Sequence, residues 1–543
     1  MKIKMKNILF ATLLLLTTLI NAQNFSRKDS LQGSLRFERT CFDVLHYELN
    51  LTVHPDQKKI EGSNQIKFKV VENTQKIQID LFENMPIDSI VWNQQQLHYK
   101  REFDAVFIYF PNELHTNQIE NIHFYYHGNP IVAKNAPWDG GFVWSTDKNG
   151  KPFIGVAVQG TGSSLWFPVK DHQSDEPDEG ARLRIAVPNG LMNVSNGRFL
   201  GSKPLENNYT RWDWEVKMPI NNYDITLNIA DYVLIADNVS NLDVLYYVLR
   251  DNEEKARKHF EEVLPMMDCF QEKFGIYPFA KDGYKLVETP YLGMEHQSAV
   301  AYGNKFQKGY LGNDLSGTGV GLLFDYITIH ETAHEWFGNS ITSVDIADMW
   351  IHESFTTYAE SVFVECQFGY EKAQTYINGQ KRMVENRKPI VGQFGVNFKT
   401  GNSDMYYKGA LMLNTFRHIL DNDQKWWALL KKYSETFRLQ IIEKKDVVQF
   451  FNENTNFNFS PLFDQYLLYK NLPELEIKIN KKGFSYQWNT DVSNFEMPIE
   501  IEIAGKKTRL IVKNEPQFFE QKKLTSKDIN VNTQQFLIKV QIK

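Results

Sequence analysis

The sequence has little cysteine, no excess of charge of either sign, and no apolar run as long as a typical membrane span. Its 543 residues include only 3 cysteines, too few for a disulfide framework, so stability must come mainly from packed cores. The 60 Lys and Arg residues nearly balance the 66 Asp and Glu residues, and the net charge is −6. Because nucleic acids and anionic membranes are bound by basic surfaces, neither is an expected partner. Internal repeats and low-complexity linkers are also absent.

A basic start and a short apolar run characterise the first residues. Three lysines precede the apolar run 8–20, which ends near the small residue Ala22. This arrangement is typical of a secretory signal peptide over 1–22, and the run is shorter than the about 20 residues of a membrane span. An uncleaved anchor is the alternative. We therefore expect an exported protein, periplasmic or secreted, with no stable membrane span after cleavage.

The three cysteines are widely spaced along the chain. Cys41, Cys269 and Cys366 form no Cys-x-x-Cys pair. A single bridge, Cys41–Cys269 or Cys269–Cys366, is compatible with an exported protein. The sequence leaves these alternatives open.

Two periodicities divide the chain. At about 100–200 residues per domain, the length predicts about three or four domains. Residues 40–235 alternate apolar and polar side chains with a period of two, which predicts a large antiparallel β domain. Beyond residue 250 the period lengthens, and we expect helices at Glu253–Phe274, Leu322–Phe337, Met349–Phe368, Lys408–Leu420 and Gln424–Phe437.

After Pro473 the period of two returns, and the remaining length suits a small β-sandwich. The predicted fold is thus a multidomain α+β protein. Its predicted parts are a signal peptide (1–22), an N-terminal β domain (23–237), a mainly helical domain (238–470) and a C-terminal β domain (471–543).

A metal-binding pattern lies in the helical region. In the segment HETAH, His330 and His334 are four residues apart and share one face of a helix. Glu353 follows His334 after the 18 residues 335–352, again in a helical stretch. Two histidines and one carboxylate leave a fourth position of tetrahedral zinc open for water, which is the catalytic arrangement. Glu331 is placed to take a proton from that water. The spacing predicts one catalytic Zn²⁺ ion.

Several segments resemble the zinc aminopeptidases of the aminopeptidase N type, which are gluzincins. HETAHEWFGNSIT (330–342) and WIHESFTTYAE (350–360) are similar to the two zinc segments of that family, and YLGMEHQ (291–297) resembles its Gly-x-Met-Glu-Asn motif. MYYKG (405–409) resembles its Tyr-x-Lys-Gly segment, and QGTGSSLWFPVKD (159–171) resembles its substrate-anchoring loop. The resemblance implies a thermolysin-like catalytic domain that acts on peptides with a free N-terminus.

The resemblance also implies roles for single residues. It makes His330, His334 and Glu353 the zinc ligands and Glu331 the general base. The oxyanion tyrosine would be Tyr406 rather than Tyr407. Four residues would bind the substrate: Gln159, Gly293, Met294 and Glu295. Among them, Glu295 would bind the free α-amine and Gln159 would be the second contact of that amine.

The chain departs from the family pattern in several places. His296 and His352 stand where the family usually has Asn, and we expect them to make hydrogen bonds near the zinc rather than to bind it. Glu360 lies on the same helix face as Glu353 and would either orient a ligand or be solvated. The region 471–543 is too short for the helical cap that many relatives carry, so we expect a more open cleft.

The leading hypothesis is an exported zinc aminopeptidase. The alternatives are a zinc endopeptidase, against which the GMEH segment argues, and a catalytically decayed peptide-binding protein. Decay would predict the loss of a zinc ligand, of Glu331 or of Tyr406, and all are present. The oligomeric state and the preferred first side chain do not follow from the sequence.

Overall fold

A computed structural model of the chain describes residues 25–239, 242–397 and 403–543. The predicted signal peptide 1–22 lies outside these residues. Among the described residues, none of the helices combines the length and the apolar character that crossing a membrane requires.

The N-terminal domain is built from strands that follow two short helices, α1 (Arg27–Gly33) and α2 (Phe37–Thr40). In its first long strand, Leu49, Leu51 and Val53 are buried and alternate with partly exposed residues, as the period of two predicts. The strands of this domain are β1 (Phe42–His54), β2 (Lys59–Val70), β3 (Thr74–Asp80), β4 (Ile87–Trp92), β5 (Gln95–Gln96), β6 (His98–Glu102), β7 (Ala105–Leu114), β8 (Ile119–Gly128), β9 (Gly141–Thr146), β10 (Pro152–Ala157), β11 (Ala181–Pro188), β12 (Met192–Ser195), β13 (Arg198–Pro204), β14 (Tyr209–Val216) and β15 (Leu227–Ala230).

These strands form three sheets, with the orders β13-β14-β11-β1-β2-β8-β4-β5, β12-β15-β10-β9 and β3-β7-β6. Most neighbours are antiparallel, which confirms the predicted β domain. β1 and β11 instead pair in parallel, with Tyr47 opposite Ala181. Turn signals could not indicate this pairing because more than a hundred residues separate the two strands.

The catalytic domain joins a mixed sheet to a set of helices. The sheet has the order β16-β17-β18-β20-β19, and two further strands, β21 and β22, pair with each other. Its strands are β16 (Tyr232–Val239), β17 (Leu242–Leu249), β18 (Tyr284–Glu288), β19 (Gly293–Met294), β20 (Val300–Tyr302), β21 (Ile341–Ser343) and β22 (Gln440–Ile442). Its helices are α3 (Glu253–His259), α4 (Val263–Phe274), α5 (Tyr326–Ala333), α6 (Trp350–Phe368), α7 (Tyr370–Gly379), α8 (Tyr407–Leu420), α9 (Asp423–Thr436), α10 (Lys444–Glu453) and α11 (Ser460–Leu468). The predicted boundary between 237 and 238 falls inside β16, whereas the boundary between 470 and 471 falls between α11 and the strand that begins at Glu474. The boundaries stay predictions.

Helix α5 is shorter than the predicted range Leu322–Phe337. It begins at Tyr326, after the N-cap residue Asp325, whose side chain accepts a hydrogen bond from the amide of Thr328 at 3.1 Å. It gives way to a wide turn, in which Phe337 and Gly338 leave helical geometry. Gly338 has a φ of 133°, which only glycine adopts without strain.

The C-terminal domain contains two small sheets, with the orders β27-β24-β23-β29 and β26-β25-β28, and confirms the predicted sandwich. Its strands are β23 (Glu474–Asn480), β24 (Gly483–Asn489), β25 (Glu496–Ile503), β26 (Lys506–Lys513), β27 (Gln517–Glu520), β28 (Ile529–Val531) and β29 (Lys539–Ile542).

The hydrophobic side chains fall into two large cores. One fills the N-terminal domain, and the other runs continuously through the catalytic and C-terminal domains. Cys269 of α4, which belongs to the second core, forms a disulfide with the exposed Cys366 of α6, and this decides between the two pairings left open above. Cys41 is free and buried.

Candidate metal centre and substrate cleft

The two histidines and the glutamate of the metal pattern meet in the structure. His330 and His334 lie one turn apart on α5, and Glu353 lies in the first turn of α6. The Nε2 atoms of His330 and His334 are 3.6 and 3.4 Å from Oε2 of Glu353. These three side chains are nearly fully buried, at 5, 1 and 2% exposure. Both helices belong to one core, so packing fixes the triangle.

The triangle fits a zinc ion. Ligand atoms about 2.1 Å from tetrahedral zinc lie about 3.4 Å from one another, which matches the spacing found. Oε2 of Glu353 is buried and has no hydrogen-bond partner among the residues that the structure describes, a state that costs free energy unless a cation occupies the site. Two imidazoles and one carboxylate are also the ligand types of catalytic zinc.

Hydrogen bonds orient the two rings. Nδ1 of His330 lies 2.7 Å from Oε1 of Glu360, and Nδ1 of His334 lies 2.9 Å from the carbonyl oxygen of Phe337. Each Nδ1 can thus donate its proton away from the site, which leaves Nε2 free to bind metal.

Glu360 is held rigidly in this arrangement. Its Oε2 accepts hydrogen bonds from the hydroxyl of Tyr376 at 2.7 Å and from Nε2 of Gln380 at 2.9 Å. The side chain is 0% exposed, so the solvated alternative is wrong and Glu360 orients His330.

Glu331 faces the cleft, next to an edge of the mixed sheet. It lines the cavity and is 9% exposed, and burial raises the pKa of its carboxyl. A Cβ on Gly293 would lie 2.8 Å from Oε1 of Glu331 and 2.7 Å from a methyl group of Ile327. Strand β19 can therefore approach α5 this closely only because residue 293 is glycine.

Glu295 and Gln159 meet across the domain interface. Glu295 follows β19 and is 3% exposed, and burial raises the pKa of its carboxyl. Nε2 of Gln159, from the loop after β10, donates a hydrogen bond to Oε1 of Glu295. Nδ2 of Asn339 holds the backbone oxygen of Glu295 at 2.7 Å. Met294 lines the same cavity, so all four predicted substrate-binding residues lie together.

The two candidate tyrosines face different groups. The ring of Tyr406 stacks on that of His330 with a centroid distance of 6.0 Å, and burial and the charge of Glu353 raise the pKa of its hydroxyl. Burial also raises the pKa of the Tyr407 hydroxyl, but the charge that contributes most to this rise is that of Glu360 rather than that of Glu353. Tyr406 is therefore the tyrosine that faces the metal triangle.

His296 and His352 lie outside the triangle. Nε2 of His352 accepts the amide hydrogen of Ser343 at 2.9 Å. Within the described part of the chain, Nδ1 of His352 and both ring nitrogens of His296 lack a hydrogen-bond partner. Burial lowers the pKa of both imidazoles to about 3, so they are neutral. The prediction that both histidines make hydrogen bonds near the zinc is therefore wrong for His296. His352 does make such a bond, but its partner, Ser343, is not a zinc ligand.

The metal triangle, Glu331, Tyr406 and the four predicted substrate-binding residues line one cavity of about 680 Å³ between the two domains. This volume lies within the range of about 300–1,000 Å³ that is common for small-ligand sites. The sequence did not indicate several other lining residues, because they lie in segments without a motif; they include Gln32, Gly33, Trp138, Val396 and Asn397.

Comparison with protein families supports this geometry. The model described as Peptidase M1 N-terminal domain matches residues 44–223, and the model described as Peptidase family M1 domain matches residues 259–466. The second match includes the metal triangle.

Curated relatives are distant. A leucyl aminopeptidase of Saccharolobus solfataricus is 22% identical over 402 residues, which are 70% of this chain and 50% of that protein. An aminopeptidase B of Rattus norvegicus is 26% identical over 142 residues, 23% of this chain and 22% of that protein. The chain thus matches half or less of the length of these relatives.

Solved structures share the fold. An M1 zinc metallopeptidase of Deinococcus radiodurans with a bound Tyr-Ser-Ala substrate has a TM-score of 0.65 and 19% identity, covering 80% of this chain and 95% of that one. A two-domain M1 zinc metallopeptidase with bound L-tryptophan has a TM-score of 0.67 and 20% identity, covering 83% of this chain and 99% of that one.

Proposed function

Because this chain belongs to peptidase family M1, we propose that it is a zinc aminopeptidase that releases the N-terminal residue of peptides. One observation carries the proposal: the Gln159–Glu295 pair lies in the same cavity as the metal triangle. A group that binds an amine beside a hydrolytic metal is what an exopeptidase needs.

The metal would be held by His330, His334 and Glu353. When bound there, zinc acts as a Lewis acid that acidifies water and polarises a carbonyl group.

The chain's own residues move the protons. Glu331 accepts the proton of the attacking water and then delivers it to the leaving amine. The hydroxyl of Tyr406 donates a hydrogen bond to the negative charge that develops on the substrate carbonyl oxygen. Because this charge is small before the reaction, the hydroxyl favours the transition state over the bound substrate.

Glu295 and Gln159 fix the end of the substrate. A substrate ammonium group would bind the buried Glu295 carboxylate in a charge-assisted hydrogen bond, with the side-chain oxygen of Gln159 as a second acceptor. An acetylated terminus has lost the charge and is bulkier. The pair thus sets the cut at one residue from the end.

The alternatives remain an endopeptidase with the same metal chemistry and a peptide-binding protein without turnover. A test is to incubate the protein with two peptides of one sequence, one with a free α-amine and one acetylated, with and without a zinc chelator. We expect single residues to be released from the free peptide only, and only without chelator. Cleavage of both peptides would show an endopeptidase, and no cleavage by the zinc-loaded protein would favour the binding protein.

We also propose that the protein is exported, to the periplasm or the medium. The leader-like sequence 1–22 and the Cys269–Cys366 disulfide support this, because disulfides persist in oxidising compartments. After cells are fractionated, mass spectrometry should find the native protein outside the cytoplasmic fraction and without residues 1–22. A full-length cytoplasmic protein with reduced Cys269 would refute export.

A further inference from the structure

The segment that precedes the β domain forms part of the catalytic cavity. Gln32 and Gly33, at the end of α1, line the cavity that holds the metal triangle. Their positions carry no resemblance to any motif in the sequence, and the proposed function assigns them no role.

The segment is fixed to the N-terminal domain beside the amine-binding loop. Nε2 of Gln32 donates a hydrogen bond to the carbonyl oxygen of Thr161 at 2.8 Å, two residues beyond Gln159. The backbone oxygen of Gln32 accepts from Arg39 at 2.5 Å, and Arg39 pairs with Asp80 in a fully buried ion pair. Gln32 is therefore held in one position.

The same segment touches the catalytic domain. The amide of Asn397 donates a hydrogen bond to the backbone oxygen of Asp29 at 3.0 Å. A Cβ on Gly33 would lie 2.1 Å from the backbone of both Val396 and Asn397, so the two backbones are in direct contact. Val396 and Asn397 line the cavity as well. The segment thus bridges the two domains and forms part of the cavity wall.

The part of the cavity wall that Gln32 and Gly33 form lies next to the amine-binding pair. Gln32 contacts the loop of Gln159, and a Cβ on Gly162 would lie 2.7 Å from its Nε2. The backbone oxygen of Gly33 lies 3.2 Å from Nε2 of His172, which also lines the cavity. In a peptide whose amine binds Glu295, the first side chain begins two bonds from that amine, so the part of the cavity beside the Gln159 loop, which Gln32 contacts, is within its reach.

We propose that Gln32 and Gly33 form the end wall of the pocket for the first side chain of the substrate, and that Gln32 limits the size of that side chain. This inference rests on the proposed aminopeptidase function. Removing the Gln32 side chain lengthens the pocket, whereas a bulkier residue at position 32 shortens it.

The test uses the full chain with Gln32→Ala, Gln32→Trp and, as control, Arg27→Ala, whose side chain lies on the same helix and is 53% exposed. The measurement is the ratio of kcat/KM for a peptide with tryptophan first to that for the same peptide with alanine first. We expect Gln32→Ala to raise this ratio by about tenfold and Gln32→Trp to lower it by about tenfold, which is the range of single pocket contacts. Arg27→Ala should leave it unchanged.

A second measurement separates this inference from the proposed function. Calorimetry gives the dissociation constants of L-tryptophan and L-alanine, which are not hydrolysed, and the same opposite shifts are expected. If peptides are cleaved but both variants keep the wild-type ratios, the end wall is refuted and the aminopeptidase stands. If no peptide is cleaved, the aminopeptidase is refuted, and the binding ratios alone support or refute the wall.

Discussion

His330, His334 and Glu353 come from two helices of a single core, whereas Gln159 and Glu295 come from loops of two domains. In the metal triangle, helix packing positions the side chains, and hydrogen bonds to Glu360 and to the carbonyl oxygen of Phe337 orient the two imidazoles. In the amine-binding pair, the contact exists only because the two domains dock in one arrangement.

The difference indicates a division of labour. The metal triangle can be formed by the catalytic domain alone, and substitutions near it should change chemistry or metal affinity. The amine-binding pair depends on both domains, and substitutions there should change recognition while leaving chemistry and metal in place. Four substitutions test this division, from the largest expected effect to the smallest.

Glu331→Gln should abolish turnover while metal stays bound. The amide cannot accept the proton of water, and we expect kcat to fall by about 10³-fold or more, as for removal of an acid–base group. Zinc content by elemental analysis should stay at the wild-type level, because Glu331 is not in the triangle. Glu335→Gln is a matched control, since this buried carboxylate bonds Tyr277 and Ser298 outside the cavity. A kcat within tenfold of wild type in Glu331→Gln would show that another group takes the proton.

Tyr406→Phe should lower kcat by about 10²-fold, the usual cost of one oxyanion donor, with little change in peptide affinity. The hydroxyl acts on charge that exists only in the transition state. Tyr407→Phe, in which the neighbouring hydroxyl is lost, should have a much smaller effect. The reverse order of the two variants would assign the oxyanion to Tyr407.

Glu360→Gln should weaken zinc binding by about 10- to 100-fold, as is common when a partner of a ligating histidine is changed. The neutral amide is a weaker acceptor for the Nδ1 proton of His330. Competition with a chelator measures the affinity, and saturating zinc should restore much of the activity. The control is Glu365→Gln, on the same helix but paired with Arg417. Equal zinc affinity in Glu360→Gln and wild type would mean that packing alone orients His330.

The sequence predicted the metal triangle because its spacing is local. Positions 330 and 334 share a helix face in any helix, and Glu353 needed only a second helix nearby. The extent of α5 was less predictable, because the wide turn at Gly338 interrupts an otherwise helical pattern. The alternation of apolar residues likewise predicted the β domains but not the parallel pairing of β1 with β11.

The end of the cavity could not be predicted from the sequence. Gln32 is more than a hundred residues from Thr161 and far from Asn397 in sequence, and no periodicity reports such contacts. The prediction that His296 makes a hydrogen bond near the zinc is also wrong, because its ring is buried and neutral and lacks a partner among the described residues. Its position beside Glu295 in the sequence did not reveal which groups surround the ring. The sequence thus predicted the residues of the metal triangle, but not the contacts that depend on how the two domains dock.

Gln159→Ala should have the smallest effect and separates the two regions most clearly. A hydrogen bond to a charged group contributes about 1.5–3 kcal/mol, and because Glu295 still binds the ammonium group we expect the lower end of this range, a fall of about tenfold in kcat/KM for a free-amine peptide. Most of the loss should appear in KM, since the bond is made equally before and during the reaction. Zinc affinity should equal that of wild type because Gln159 lies on the other domain. A fall in zinc affinity or a dominant loss in kcat would show that the amine-binding pair and the metal triangle act as one unit.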